Sequence, residues 1–200
     1  MQSLDDLLSE YEVIYGDVCP GQLLAIRIAV LGCHLVGLEN PRVANEKNLI
    51  AWVEIDRWLA DAVEAVTGAR LGKRNLKFLD YGKLAATFLN VRTGEAVRIV
   101  ALGSSRRLAD ERYPEIESKY ARQMRFYREA KDEELFAVKA VAQGLNEMDA
   151  PGHPRSRVIC VHCGEEVNDG REIVARDLGT LCRPCAFGAR SMAQHLAETE

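Results

Sequence analysis

Four cysteines near the C-terminus constrain the fold more than any other feature of this sequence. They form two C-x-x-C pairs, Cys160 with Cys163 and Cys182 with Cys185, separated by eighteen residues. This spacing is typical of a zinc site with four thiolate ligands, because each C-x-x-C turn places two sulfurs near one point and a hairpin returns the second pair. We therefore predict one structural zinc ion and a zinc ribbon over residues 158–187. The alternative is a redox pair or buried thiols, but so short a segment would hardly fold without metal.

The charge distribution argues against nucleic-acid binding as the main role of this ribbon. Residues 155–185 carry five arginines and five acidic residues, and the whole chain has a net charge of −4. Binding to a polyanion draws much of its free energy from counterion release, which needs a basic surface. Residues 104–131 have eight positive charges against five negative ones. That bias keeps a nucleic-acid-binding regulator as an alternative function.

The apolar pattern before the ribbon predicts an α+β core over residues 1–103, an antiparallel sheet with flanking helices. The 48% apolar content suffices for one well-buried core. Two segments, LAATFLNV and EAVRIVAL, flank a turn at Arg92, Thr93 and Gly94 and predict a β-hairpin. The other predicted elements are a helix at 3–14, a helix from Pro20 towards Gly37, a strand at 49–56, a helix at 57–68 and a short strand from Leu76.

A long helix is predicted to follow the core. Residues 115–143 contain Ile116, Tyr120 and Tyr127 on one side, within a helical extension that spans 104–147. Two glycines and two prolines then lie between 144 and 157, so we predict a linker at 148–157, and a tail at 188–200 after the ribbon. The two tyrosines are expected to bury aromatic surface against a second chain, which predicts a homodimer.

The segment YGDVCPGQLLAIRIAVLG places a cysteine, a proline and a glycine at the start of the second helix. Pro20 suits the first helical position, so Cys19 becomes the N-cap, where backbone N–H groups and the helix dipole stabilise a thiolate. The residues alone leave three roles open, which are a nucleophile, a soft-metal ligand and a plain cap. A cysteine-dependent enzyme would need a base, and His34 lies about four turns further along the same helix.

Four stretches resemble one known family, the E subunit family of formylmethanofuran dehydrogenase, often written FmdE. They are GDVCPG at 16–21, EIDRWLADA at 54–62, TGARLGKRNL at 67–76 and DYGKLAATF at 80–88. The resemblance implies a metal or small-molecule site at the Cys-Pro-Gly helix entrance, a trailing zinc ribbon and a dimer. It also implies an accessory protein, rather than a catalyst, beside a molybdenum or tungsten enzyme. At matching positions, the candidate residues of the core site are Asp17, Cys19, Lys73, Asp80 and Lys83.

The chain departs from the family at three positions. The family usually has histidine where this chain has Asp17, and cysteine where it has Trp58 and Ala69. One thiolate and one carboxylate would hold a soft metal weakly, because affinity for such metals needs several soft ligands. Three alternatives therefore stay open for the core, namely a second metal, an organic ligand or no ligand.

The start of the chain bears on localisation. Its first 13 residues contain four acidic residues and no basic one, which is unlike a secretory signal peptide. No apolar run reaches the roughly 18 residues of a membrane span. We therefore expect a cytoplasmic protein without a membrane partner.

Overall fold

The computed structural model of the protein describes residues 2–39, 42 and 48–188. The chain divides into two units, residues 1–145 and residues 146–200. The first unit combines helices with a sheet, and the second carries the four cysteines, so the predicted α+β class is confirmed. None of the described helices has the length and apolar character needed to cross a membrane.

The first unit contains one five-stranded sheet with helices around it. Its described helices are α1 (Leu4–Tyr15), α2 (Pro20–Leu35), α3 (Leu59–Thr67), α4 (Ser105–Arg112), α5 (Lys119–Glu129) and α6 (Asp132–Leu135). Its strands are β1 (Leu49–Val53), β2 (Leu76–Phe78), β3 (Ala85–Asn90), β4 (Ala96–Ala101) and β5 (Phe136–Ala140). The predicted starts of α1 and α2 and the predicted hairpin of β3 and β4 are confirmed within a residue or two.

The sheet is mixed rather than antiparallel throughout. The strand order is β2-β1-β3-β4-β5, and every neighbouring pair is antiparallel except β1 with β2. This pair is parallel because α3 lies between the two strands in the chain and carries it back to the same end of the sheet. The parallel pair places the start of α3 and the end of β1 next to β2.

Helix α2 lies at the centre of the core. Its side chains Leu23, Ile26 and Ile28 are completely buried, and the helix packs against α3, α5 and strands β3 and β4. Gly32 makes the closest approach to the sheet, since a Cβ atom at this position would lie 2.2 Å from the Phe88 ring. The absence of a side chain at Gly32 therefore sets how closely α2 packs on β3.

The predicted helix at 115–143 is wrong in its extent. Helix α5 ends at Glu129, α6 follows, and β5 then joins the sheet beside β4. Arg27 of α2 explains the break, because its Nη1 atom donates to the carbonyls of Tyr127 (2.6 Å) and Ala130 (2.9 Å). Its Nη2 atom pairs with Asp132 at 2.6 Å. These bonds satisfy the carbonyl groups that the end of α5 leaves free.

The tyrosines of α5 make contacts within the first unit. Tyr127 is buried and Tyr120 donates a hydrogen bond to the Val18 carbonyl at 2.7 Å. The expectation that both tyrosines are available to a second chain is therefore wrong for Tyr127.

The second unit is built from short hairpins. Strands β6 (Arg157–Ile159) and β7 (Glu166–Asn168) form one antiparallel pair, and β8 (Ile173–Ala175) and β9 (Gly179–Leu181) form another, followed by helix α7 (Arg183–Phe187). A 3-10 turn, Glu147–Asp149, overlaps the start of the predicted linker at 148–157. The predicted tail lies outside the described residues except for Gly188.

We expect Gly32→Ala to destabilise the protein by about 1–3 kcal/mol, because the new methyl group would overlap the Phe88 ring in a filled core. The better helix propensity of alanine, about 1 kcal/mol, would not offset this overlap. Gly21→Ala, in the same helix, is the control, since its Cβ atom would meet its nearest neighbour at 3.6 Å, an ordinary contact. Denaturant unfolding measures both, and equal stability of the two variants would contradict this account of the packing.

Candidate functional site

The two C-x-x-C pairs lie on two different local turns. In the first, the N–H of Gly164 donates to the Cys160 carbonyl at 2.9 Å, and Gly164 has φ +76, a conformation that glycine adopts without strain. In the second, Cys182 is the N-cap of α7 and Cys185 lies in its first turn. Each turn brings its two thiols to the same side of the backbone.

The four sulfur atoms converge on one point. They all lie within 4.8 Å of one another, and the Sγ atoms of Cys163 and Cys182 are 3.8 Å apart. A tetrahedral zinc ion with Zn–S bonds of about 2.3 Å would place its ligands about 3.8 Å apart, so the cluster fits this ion. The predicted convergence of the four cysteines is confirmed, and they could hold a metal ion.

The backbone around the cluster stabilises a thiolate. The N–H groups of Cys163 and Cys182 point towards the Cys160 sulfur and lower the pKa of this thiol to about 6, whereas the hydrogen bond with the Cys182 thiol raises the pKa of Cys185. Metal ligation needs deprotonated thiols, so this environment matches the chemistry of the donor set. Across the described residues, the cluster is the only group of three or more His, Cys, Asp and Glu side chains close enough to hold a metal.

Cys19 is the N-cap of α2, as predicted. Its backbone N–H donates to the side-chain oxygen of Gln22 at 2.6 Å. A Cβ atom on Gly21 would lie 3.7 Å from the Cys19 sulfur and 3.6 Å from the Trp58 ring, so the thiol and the indole flank the same glycine. The half-buried thiol thus shares Gly21 as a neighbour with an aromatic ring, at a position where the family usually has a second cysteine.

The other candidates of the core site are on the surface. Asp17 lies in the loop between α1 and α2, Lys73 between α3 and β2, and both are exposed. Asp80 and Lys83 lie between β2 and β3 and are exposed as well, with the Lys83 ammonium 6.0 Å from the Tyr81 ring. Ala69, at the second position where the family usually has cysteine, is completely buried.

One cleft of the first unit lies beside Trp58 and was not predicted. Its volume is about 420 Å³, and none of the five candidate residues lines it. Its walls come from the end of β1, the start of α3, the following loop and β2. They comprise Val53, Ile55, Asp56, Arg57, Trp58, Ala60, Asp61, Leu71, Leu76 and Phe78.

One acidic side chain in this cleft is poorly solvated. Burial raises the pKa of the Asp61 carboxyl, and the nearby charge of Glu64 raises it further. Sequence reasoning missed Asp61 because an aspartate in the first turn of a helix is ordinary. Only the fold shows that apolar side chains surround it.

Comparison with known proteins now assigns the family. A family model described as "FmdE, Molybdenum formylmethanofuran dehydrogenase operon" matches residues 14–151, more than half of the chain. The chain belongs to the FmdE family. The resemblance found in the sequence is therefore confirmed.

Two individual proteins are also similar to this chain. A solved protein from Syntrophus aciditrophicus, described as FmdE-like and named after tungsten formylmethanofuran dehydrogenase, has the same fold, with a TM-score of 0.60 at 22% identity over 96% of each chain. A "Probable S-adenosyl-L-methionine-binding protein" from Archaeoglobus fulgidus is 32% identical over 97 residues. These residues are 48% of this chain but 26% of the Archaeoglobus protein, so the chain spans about a quarter of that relative.

We expect Cys19 to react with iodoacetamide faster than Cys33 in the folded protein. Cys33 is completely buried, and burial raises the pKa of its thiol to about 12, whereas the thiol of Cys19 is partly accessible at a helix N-terminus. Peptide mass mapping after timed alkylation measures both rates, and labelling in denaturant provides the control. Equal rates in the folded protein would contradict the placement of Cys19 at an accessible helix entrance.

Proposed function

We propose that this FmdE-family chain is a cytoplasmic accessory protein with two separate binding functions. The ribbon holds one structural zinc ion, and the core binds a small organic ligand instead of a soft metal. The observation that carries the proposal is the contrast between the two units. Four thiols converge in the ribbon, whereas no comparable group of ligands surrounds Cys19 among the described residues.

Zinc is the metal that best fits the ribbon. Four thiolates in a tetrahedron select zinc or iron, and the sulfur separation of 3.8 Å matches the edge of a Zn–S tetrahedron. The apolar core of the ribbon is small, with Cys160, Leu181 and Cys182 as its buried members. So little buried surface supports a structural role, in which metal binding supplies the folding free energy.

An organic ligand in the core is supported by the replaced ligands and by one relative. Trp58 stands where the family usually has a thiol, and an aromatic wall favours an organic molecule over a metal ion. The Archaeoglobus relative is described as a probable S-adenosyl-L-methionine-binding protein, and S-adenosyl-L-methionine is such a molecule.

The two alternatives from the sequence find less support. Five arginines between 104 and 131 pair with carboxylates, which neutralises the charge that nucleic-acid binding would use. Within the described residues of the first unit, the one histidine is His34, which lies in the last turn of α2 and so offers Cys19 no nearby base. We therefore propose a non-catalytic role beside a molybdenum or tungsten formylmethanofuran dehydrogenase, as the family description suggests.

We expect the purified protein to contain about one zinc ion per chain and Cys163→Ser to lose it. Residues 158–187 should then become sensitive to protease while the first unit keeps its secondary structure, because metal binding and folding are coupled in such a module. Plasma mass spectrometry measures the zinc, and Cys19→Ser is the control that should retain it. Full zinc content in Cys163→Ser would refute the ribbon site, and a metal lost from Cys19→Ser would refute a metal-free core.

We also propose a homodimer, supported by exposed apolar residues on α1. Val13 and Ile14, on its last turn, are both well exposed, and apolar residues grouped in this way mark interaction surfaces. Light scattering should therefore give twice the chain mass, and Val13→Glu should give the monomer mass. A monomeric wild-type protein would contradict this proposal.

A further inference from the structure

The cleft beside Trp58 has the chemistry of a site for one class of organic molecule. We infer that it binds an organic cation with a flat apolar body, such as an aryl ammonium or sulfonium compound. The inference rests on the proposed function, in which the core takes a small organic ligand, and it names the class of that ligand. Three features of the cleft support it, namely its apolar walls, its acidic residue and its balance of charge.

The apolar walls are unusually open to solvent. Trp58 is 51% exposed, Leu71 63% and Phe78 42%, and all three line the same cleft of about 420 Å³. Contact of large apolar side chains with water is unfavourable, and groups of such side chains that stay exposed mark binding sites. Below them, Val53 and Leu76 are buried and close the floor. A flat apolar group of one or two rings fits this volume and covers these side chains.

Asp61 supplies a negative charge within these walls. The side chain is half-buried, and it forms no hydrogen bond or ion pair with any residue that the structure describes. Burial and the charge of Glu64 both disfavour the ionised carboxyl and raise its pKa. A bound cation would offset this cost. Its positive charge would also be attracted by the face of the Trp58 ring, the aromatic side chain that holds cations most strongly.

The remaining charges of the cleft do not favour an anion. Asp56 and Arg57, which also line it, are both exposed, and their opposite charges offset one another. Arg70, in the loop after α3, is engaged by Glu64 at 2.8 Å. The lysine of this loop, Lys73, is not part of the lining. Arg57 is the one cation among these lining residues and Asp56 offsets its charge, so an anionic ligand would meet the uncompensated carboxylate of Asp61.

The experiment compares two ligands of the same shape that differ in charge. The probes are (3-hydroxyphenyl)trimethylammonium and its neutral isostere 3-tert-butylphenol, titrated into the full-length protein by calorimetry. We expect the cation to bind about tenfold or more tightly than the phenol. Binding should also shift the indole N–H resonance of Trp58, which Trp52→Phe identifies because the chain has two tryptophans.

Asp61→Asn should remove most of the preference for the cation and leave the affinity for the phenol unchanged. Glu117→Gln is the matched control, since this exposed carboxylate of the first unit lies outside the cleft, and both affinities should stay as in the wild type. If Asp61→Asn does not fold, Trp58→Leu serves instead, because it keeps an apolar wall and removes the π face. That variant should lose most of the preference for the cation.

The outcomes separate this inference from the proposed function. Equal binding of the two probes would overturn the inference that the ligand is a cation, while the proposal of an organic ligand would stand. No binding of either probe at millimolar concentration, with the Trp58 resonance unmoved, would overturn both the inference and the organic ligand. Neither result would affect the zinc content, which is measured independently of the cleft.

Discussion

The structure of the first unit depends on one buried guanidinium. Arg27 lies in the middle of α2, the most buried helix, and its side chain is only 13% exposed. Burying a charge costs several kcal/mol unless hydrogen bonds and an opposite charge compensate. The carbonyls of Tyr127 and Ala130 and the carboxylate of Asp132 provide this compensation. The end of α5, whose dipole is negative, must therefore lie beside the middle of α2.

The contact between Arg27 and the end of α5 also determines where β5 lies. Helix α5 stops at the guanidinium, Glu134 accepts the backbone N–H of Lys131 at 2.9 Å, and α6 begins. The chain then enters β5, where Phe136 packs in the core and pairs with Ala101 of β4. The fifth strand of the sheet thus depends on a contact made by a helix near the start of the chain.

Elements with local signals could be predicted from the sequence. Pro20 marks the start of α2, a turn containing Gly94 joins β3 to β4, and the two C-x-x-C pairs predict the four-cysteine cluster. The end of α5 could not be predicted, because no glycine or proline occurs between 118 and 143. The residue that ends this helix lies 100 positions earlier in the chain. A sequence pattern indicates local helix propensity, and it does not predict a contact between residues so far apart in the chain.

The two candidate sites differ in the same way, since one is built from local turns and the other from segments far apart in the chain. The ribbon ligands come from two turns of four residues each, so their spacing is sufficient to predict them. The cleft takes Val53, Asp61, Leu71 and Phe78 from four segments, which only the parallel pairing of β1 with β2 brings together. Trp58 belongs to both descriptions. It stands where the family usually has cysteine, and it forms a wall of the cleft. Trp58 and the buried Ala69 offer no soft ligand at the two positions where the family usually has cysteine, and Trp58 adds apolar surface beside an acidic group. These replacements support the proposal that metal binding is confined to the ribbon and that the core takes an organic molecule.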